Sequence, residues 1–195
     1  VRDLLYPMTR SIYGSQIREP YGSEFAVSAR LITDFLGNGI MNQDWGRMGP
    51  EISITILALT GKYRVCQSFL GTKQSSSRGH DMVSAVRRTV GALFASLDGN
   101  FPFWSTVTGS QPVPTLGTAT ELVPEPARIN RKRLLEMFAS GVAQLEQVLN
   151  SILSPSLLSE LRRIAALGVD EFDYPAELWT RTVFEFAASY HKSTI

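Results

Sequence analysis

The sequence has few of the residues that covalent cross-linking and metal binding use most often. It contains one cysteine, Cys66, and two histidines, His80 and His191. A single cysteine excludes an internal disulfide framework. Because Cys66 lies in the apolar stretch 63–66, and reactive thiolates need an exposed, electropositive setting, we expect it to be a buried, inert thiol.

The sequence also lacks an excess of charge of either sign and a long hydrophobic run. Lys and Arg number 19 against 18 Asp and Glu, a formal net charge of +1, so no overall field attracts nucleic acid or an anionic membrane. No apolar run approaches the about 20 residues that span a bilayer, and no basic segment precedes an apolar one at the start. We therefore expect a cytoplasmic protein with no membrane span and no nucleic-acid partner.

What remains is the composition of a globular protein. The 195 residues, 44% hydrophobic and 19% charged, can bury one core or two small ones. The chain opens with apolar content from its first residue, Val1, and without an initiator methionine. We therefore expect it to be part of a longer protein, and its function is the function of a part.

A segment rich in proline, glycine, serine and threonine, residues 102–127, divides the chain and predicts a linker. Before it, residues 1–101 mix helical and strand patterns. After it, residues 128–195 predict a helical extension: one apolar stripe at helical spacing from Leu134 to Ile152, a short helix after Ser154-Pro155, and a last helix after Pro175.

Residues 50–59 carry two conflicting patterns. Isoleucines at 52, 54 and 56 alternate with Ser53 and Thr55, as in a half-buried strand. Gly49-Pro50-Glu51, in contrast, is a helix start, with proline at the first helical position and an acid in the first turn. The pattern alone leaves both possibilities open.

Two carboxylate-bearing segments are candidates for binding a polar ligand. The turn at residues 20–25 holds Gly22, Ser23 and Glu24, which places a carboxylate beside backbone free of bulky side chains. The second segment, Asp44-Trp45-Gly46 with Glu51, brings an indole and acids near a helix start; carboxylates accept hydrogen bonds from paired sugar hydroxyls. Taken alone, an ordinary turn and a capped helix are the commoner meanings.

A polar loop at residues 71–80 is the third candidate. It follows a predicted short strand, residues 63–70, and precedes a helix that Asp81 can cap. Ligands bind at such strand ends in open α/β sheets, and Lys73 and Arg78 could hold a phosphate there. His80 is a candidate metal ligand, although no second ligand stands at a recognisable spacing. A solvated loop is the commoner meaning of such a segment.

Taken in order, these segments resemble the second half of retaining glycosyltransferases related to glucosyl-3-phosphoglycerate synthase and mannosylglycerate synthase. Residues 18–26, Arg-Glu-Pro-Tyr-Gly-Ser-Glu-Phe-Ala, are similar to the family's Gln-Pro-aliphatic-Gly-Gly-Glu-Tyr-Ala stretch. Residues 49–52, Gly-Pro-Glu-Ile, match a Gly-Val-Glu-Ile helix start whose glutamate faces the donor sugar. Gln67 with Leu-Gly-Thr-Lys at 70–73 resembles the family's Gln-Val-X-Leu-Gly-X-basic strand end. Residues 82–94 resemble the helix that follows this strand in the family.

The resemblance covers about the first hundred residues and implies an α/β fold, the second half of a GT-A (Rossmann-like) domain. It implies a helix from Pro50 to about Leu59. It also implies a divalent metal, Mg²⁺ or Mn²⁺, held on the donor diphosphate by an Asp-X-Asp motif, and the chain has no such motif. The motif is expected in the missing first half. Where the family has a metal-binding histidine, this chain has Ser75, so His80 is the substitute candidate.

The implied function is transfer of a hexose, with retention, from a UDP- or GDP-sugar to a small hydroxyl acceptor. From the resemblance we expect Gly22, Ser23, Glu24 and Glu51 to bind the donor sugar and Lys73, Arg78 and Arg2 to bind phosphate or acceptor, with His80 as the candidate metal ligand. A homodimer through the C-terminal helices is a further expectation. The alternative is a non-catalytic, degenerate module for assembly or sugar binding, in which Ser75 indicates that metal chemistry has been lost. A third possibility, a plain helical interaction protein, leaves the first hundred residues unexplained.

Overall fold

The structure is a computed structural model that describes residues 2–22, 24–39, 49–71, 82–118 and 130–193. It divides into two compact units, Val1–Leu122 and Val123–Ile195. Helices make up most of the described residues. None of the helices in these ranges combines the length and the apolar character needed to cross a membrane.

The first unit, as described, consists of five helices and four two-residue strands. In chain order these are α1 Arg2–Tyr13, β1 Ser15–Gln16, α2 Ala29–Gly37, α3 Pro50–Thr60, β2 Gln67–Ser68, α4 Met82–Gly99, α5 Phe101–Trp104, β3 Gln111–Pro112 and β4 Thr115–Leu116.

Helix α3 settles the ambiguity at residues 50–59 in favour of a helix, so the helix expectation is confirmed and the strand alternative is wrong. Gly49 is the N-cap residue and Pro50 opens the first turn. The alternation arises because α3 is buried on most sides, so its hydroxyl residues are buried as well as its isoleucines. The Ser53 hydroxyl donates to the Gly49 carbonyl at 2.8 Å, which satisfies its hydrogen bond within the helix.

The core of unit 1 lies where α1, α3 and α4 meet. Leu5, Met8, Ile52, Ile56 and Leu93 are among its fully buried side chains. A Cβ at position 49 would lie 2.9 Å from the Ala92 Cβ, so glycine there lets the start of α3 approach α4. The helix expected from residue 82 is confirmed as α4; its proposed cap, Asp81, lies outside the described residues.

The strands form two separate parallel pairs. In one, Ser15 pairs with Gln111, and in the other Gln67 pairs with Thr115. The strand expected over residues 63–70 is only two residues long. A Rossmann-like sheet needs several adjacent strands, and the described residues contain only these pairs. The α/β GT-A architecture therefore stays a prediction.

Cys66 is exposed, so the expectation of a buried thiol is wrong. Residues 63–68 run with a two-residue period in which Tyr63, Val65 and Gln67 are partly buried and the residues between them are exposed. Cys66 falls on the exposed side of this segment because side chains of extended backbone alternate between two faces.

The predicted linker is a folded part of unit 1 as far as the structure describes it. Residues 102–118 supply most of α5 and both β3 and β4, which pair with strands from the first hundred residues. The indole Nε1 of Trp104 donates to the Leu97 carbonyl at 2.7 Å. Proline fits here because two-stranded pairs have open edges, where a missing N–H is tolerated. The boundary between the units falls after Leu122 instead.

The second unit, as described, is helical, as expected. Its helices are α6 Arg131–Gln144, α7 Glu146–Ile152, α8 Pro155–Ala165 and α9 Ala176–Ser193. Its core consists of buried aliphatic residues, chiefly Leu149, Leu153, Leu157, Leu158, Leu161, Ile164 and Leu178. These side chains come from α7, α8, α9 and the residue after α7, so this core forms within the unit.

The single helix expected from Leu134 to Ile152 is divided at Leu145, whose φ of −98° and ψ of 16° depart from helical values. Hydrogen bonds still cross the break, from the Leu145 N–H to the Gly141 carbonyl and from the Leu149 N–H to the Leu145 carbonyl. One apolar face therefore continues through α6 and α7.

Ser154 occupies the N-cap position of α8, as the sequence predicts, but its side chain makes no cap hydrogen bond. Instead, the Glu185 carboxylate of α9 accepts from the Ser154 backbone N–H at 2.6 Å and from its hydroxyl at 2.9 Å. A carboxylate near a helix N-terminus complements the helix dipole, so this contact holds α9 against the start of α8.

A buried pair, Tyr13 of α1 and Ser96 of α4, joins two helices of unit 1. Their hydroxyls are 2.9 Å apart, and Ser96 donates to the Leu93 carbonyl at 2.6 Å, so it accepts from Tyr13. Burial raises the pKa of the Tyr13 phenol far above its usual range, which keeps it a neutral donor.

We predict that Ser96→Ala lowers the free energy of unfolding by about 1–3 kcal/mol, because it leaves the Tyr13 hydroxyl buried without its partner. Adding Tyr13→Phe removes that hydroxyl, so the double variant should lose less than the sum of the single variants. Urea denaturation followed by circular dichroism measures all three. Strict additivity would contradict the assignment of this hydrogen bond.

Candidate functional site

Two of the sequence-predicted segments are adjacent in unit 1. The hydroxyl of Thr55 donates to the carbonyl of Pro20 at 2.9 Å, across 35 residues of sequence and in a buried setting. Thr55 stands one helical turn after Glu51, and its hydroxyl also lies 3.3 Å from the Glu51 carbonyl oxygen. The turn that begins at Pro20 therefore lies against the first two turns of α3.

A third segment, the short strand β2, adjoins the same turn. The side-chain Oε1 of Gln67 accepts from the Arg18 backbone N–H at 2.6 Å. Gln67 is held in turn by β4, because its N–H donates to the Pro114 carbonyl at 2.8 Å. The first residue of β2 is thus anchored two residues before Pro20, and residues 72–80 of the polar loop that follows lie outside the described residues.

Glu51 has the properties of a ligand-binding carboxylate. It is half-buried in the first turn of α3. Within the described part of the chain, no hydrogen bond or ion pair involves its carboxylate oxygens. Two oxygens with unused acceptor capacity can receive two hydroxyl groups of one ligand.

The turn contributes Gly22 and Glu24. Glu24 is exposed and Gly22 is half-buried. A Cβ at position 22 would meet only the Glu19 carbonyl at 3.5 Å and the Glu24 carbonyl at 3.8 Å, which are ordinary contacts. The fold therefore tolerates alanine at position 22, and packing does not explain this glycine. Ser23 lies outside the described residues.

The remaining predicted site residues are not placed. Lys73, Arg78, His80 and Ser75 lie outside the described residues, and Arg2 opens α1 with a side chain that is also outside them. Among the side chains that are described, no three His, Cys, Asp or Glu residues cluster as metal ligands. The phosphate, acceptor and metal assignments stay predictions.

Helix α2 is attached near the end of α3 by a polar contact. The Tyr63 hydroxyl donates to the Asp34 carboxylate, and the Arg30 guanidinium lies 5.4 Å from the centre of the Tyr63 ring. The hydrogen bond to Asp34 raises the pKa of the Tyr63 phenol above its usual value. Tyr63 is therefore a neutral donor that fixes α2 beside the segment after α3.

Local sequence patterns missed Thr55. The sequence signal for Thr55 was a hydroxyl residue among apolar neighbours in a helix, because a buried hydroxyl must find a hydrogen-bond acceptor. Its partner, the Pro20 carbonyl, is a backbone atom 35 residues away, and no local pattern identifies such a partner.

Comparison with known proteins finds no matching family model, no matching curated protein and no matching solved structure. The resemblance to retaining glycosyltransferases therefore depends on the residues of this chain alone.

We predict that Thr55→Val, which keeps the side-chain shape and removes the hydroxyl, lowers the free energy of unfolding by about 1–3 kcal/mol, because the buried Pro20 carbonyl loses its donor. Thr60→Val is the matched control: among the described residues its hydroxyl bonds to carbonyls of its own helix, Ile56 at 3.0 Å and Leu57 at 3.4 Å. Equal losses in urea denaturation would contradict a special role for Thr55.

Proposed function

We propose that this chain is the second half of a GT-A glycosyltransferase that moves a hexose, with retention, from a UDP- or GDP-sugar to a small hydroxyl acceptor. The hydrogen bond between Thr55 and Pro20 is the observation that supports it most, because it joins the turn of Gly22 and Glu24 to the helix of Glu51. These are the segments that the resemblance assigns to one donor sugar. A cytoplasmic location and a homodimer belong to the same proposal.

The chemistry of the two segments suits a hexose. A sugar presents adjacent hydroxyl groups, and a half-buried carboxylate such as Glu51 accepts from two of them. Hydrogen bonds to a charged group are worth about 1.5–3 kcal/mol each, more than bonds between neutral groups. Gly22 leaves the backbone open beside the sugar, and Ser23 and Glu24 complete the donor-sugar set.

In the proposed reaction, the bond from the sugar C1 to the diphosphate oxygen breaks and the nucleoside diphosphate leaves. The acceptor oxygen then bonds to C1 on the same face, and the proton of the acceptor hydroxyl passes to the departing diphosphate oxygen. Lys73, Arg78 and Arg2 compensate the charge of the diphosphate or of the acceptor. Mg²⁺ or Mn²⁺, with His80 as its candidate ligand, would stabilise the leaving diphosphate when bound. The described residues contain no group of three His, Cys, Asp or Glu side chains that could hold it.

One observation favours the alternative, a degenerate module that binds sugar without transferring it. Ser75 stands where the resembled family has a metal-binding histidine. The two functions differ in one measurable respect: the module binds a sugar nucleotide and forms no glycosylated product.

We predict that Glu51→Gln in the full-length natural protein lowers kcat/KM for sugar-nucleotide turnover by about 10- to 100-fold, because a charged acceptor becomes a neutral amide. Hydrolysis and transfer are measured with UDP-glucose and GDP-mannose in the presence of Mg²⁺ or Mn²⁺. Glu136→Gln, an exposed carboxylate of α6, is the matched control. Unchanged turnover in Glu51→Gln would remove Glu51 from the donor site.

We also predict that Gly22→Ala leaves the unfolding midpoint within the error of the wild type, since its Cβ meets only ordinary contacts, yet raises the KM for the sugar nucleotide several-fold. The added methyl would occupy space that the sugar needs. Isothermal titration checks the same variant for binding if no turnover is found. A loss of stability with unchanged affinity would show a structural role only.

A further inference from the structure

An exposed apolar stripe runs along α6 and α7 of the second unit. Leu134, Met137, Leu145 and Val148 are each between 50% and 52% exposed, a large fraction for four neighbouring apolar side chains. Their spacing places them on one side of the helices together with Gly141. Different residues of the same helices, Leu135 and Leu149 among them, supply the buried face. We call these five residues, Leu134, Met137, Gly141, Leu145 and Val148, the α6–α7 stripe.

The stripe is symmetric about Gly141. Leu134 and Val148 stand seven residues to either side of it, and Met137 and Leu145 stand four. A two-fold axis requires that residue i contacts j while j contacts i. Two copies placed antiparallel with Gly141 on the axis meet this condition, because Leu134 faces Val148 and Met137 faces Leu145.

Packing among the described residues does not require glycine at position 141. A Cβ added there would meet nothing within 4 Å. Glycine is among the poorest helix formers, so a glycine inside α6 needs a reason. Close approach of a second helix is such a reason, since the absence of a side chain lets two helix axes come near the lower end of the usual 8–10 Å separation.

The charges at the two ends of the stripe are complementary in the same arrangement. Arg131, Lys132 and Arg133 open α6, which has no acid in its first turn. The last turn of α7 has no basic residue, so its carbonyl end carries uncompensated negative charge. Residues 131–133 mirror residues 149–151 about Gly141. Antiparallel pairing therefore puts the cations of one copy beside the carbonyl end of the other.

From the symmetry, the open glycine and the charges, we propose that the α6–α7 stripe is the surface through which two copies of this chain associate, antiparallel and with Gly141 at the two-fold axis. The stripe spans about 21 Å of helix at 1.5 Å per residue. A single helix pair of this length lies at the small end of specific interfaces. The dimer should therefore dissociate on dilution.

The direct test is disulfide trapping in the full chain. Cys66→Ser removes the native thiol, and Gly141→Cys then places one thiol at the proposed axis. The cysteine side chain adds bulk at the axis; with the helix axes about 9–10 Å apart, Cα atoms on helices of about 2.3 Å radius come about 4.4–5.4 Å from each other, which is within the range a disulfide accepts. Mild oxidation should give a cross-linked dimer on a non-reducing gel. Ala143→Cys, exposed on the same helix but about 200° around it, should not.

Sedimentation of chains without an added cysteine gives an independent readout. Met137→Glu should raise the dimer dissociation constant roughly tenfold or more, since it places a charge in the contact. Ala143→Glu adds the same charge off the stripe and should leave the constant within about twofold. Circular dichroism confirms that both variants fold. A monomer at all concentrations, equal effects of the two glutamates, or equal cross-linking at positions 141 and 143 would each overturn the proposal.

Discussion

The hydrogen bond from Thr55 to the Pro20 carbonyl is the constraint on which the candidate site depends. It is buried, so neither partner can exchange it for water, and breaking it would leave a buried polar group unsatisfied. It therefore fixes the turn after Pro20 against α3. Helix α3 is itself held on most sides by the core and by its close approach to α4 at Gly49. The position of Glu51 relative to Gly22 follows from these contacts.

Glu51 is the polar group with the clearest capacity to act at this place. The hydroxyls of Ser53 and Thr55 in α3 already have acceptors: Ser53 donates to a carbonyl at the start of its own helix, and Thr55 donates to the turn. The Glu51 carboxylate has no such partner among the described residues and is half-buried, so a ligand can reach it while part of its surroundings excludes water. The proposed sugar site therefore consists of a half-desolvated acceptor, the Glu51 carboxylate, beside the open backbone turn at Gly22.

Helices were predictable from sequence where apolar periodicity and start signals agree, as at Met82 and Pro155. At Pro50 the pattern alone left helix and strand open, and only the resemblance implied a helix. The bounds and pairing of the strands were not predictable, because each strand has two residues and is defined by its partner elsewhere in the chain. The same limit explains the linker: its prolines indicate turns, but only the pairing partners show that residues 102–118 belong to unit 1. Within the site, the Glu51 segment was identifiable, whereas its contact with Pro20 depends on a backbone carbonyl distant in sequence.

Hydrogen–deuterium exchange tests the convergence of these two segments most directly. The full-length protein is compared with and without UDP-glucose or GDP-mannose, each with Mg²⁺ or Mn²⁺. The account predicts that amides of residues 18–24 and of residues 51–55 become protected together, at the same ligand concentration, while the helices of the second unit do not change. Protection of only one of these two segments, or of neither by any sugar nucleotide, would contradict it.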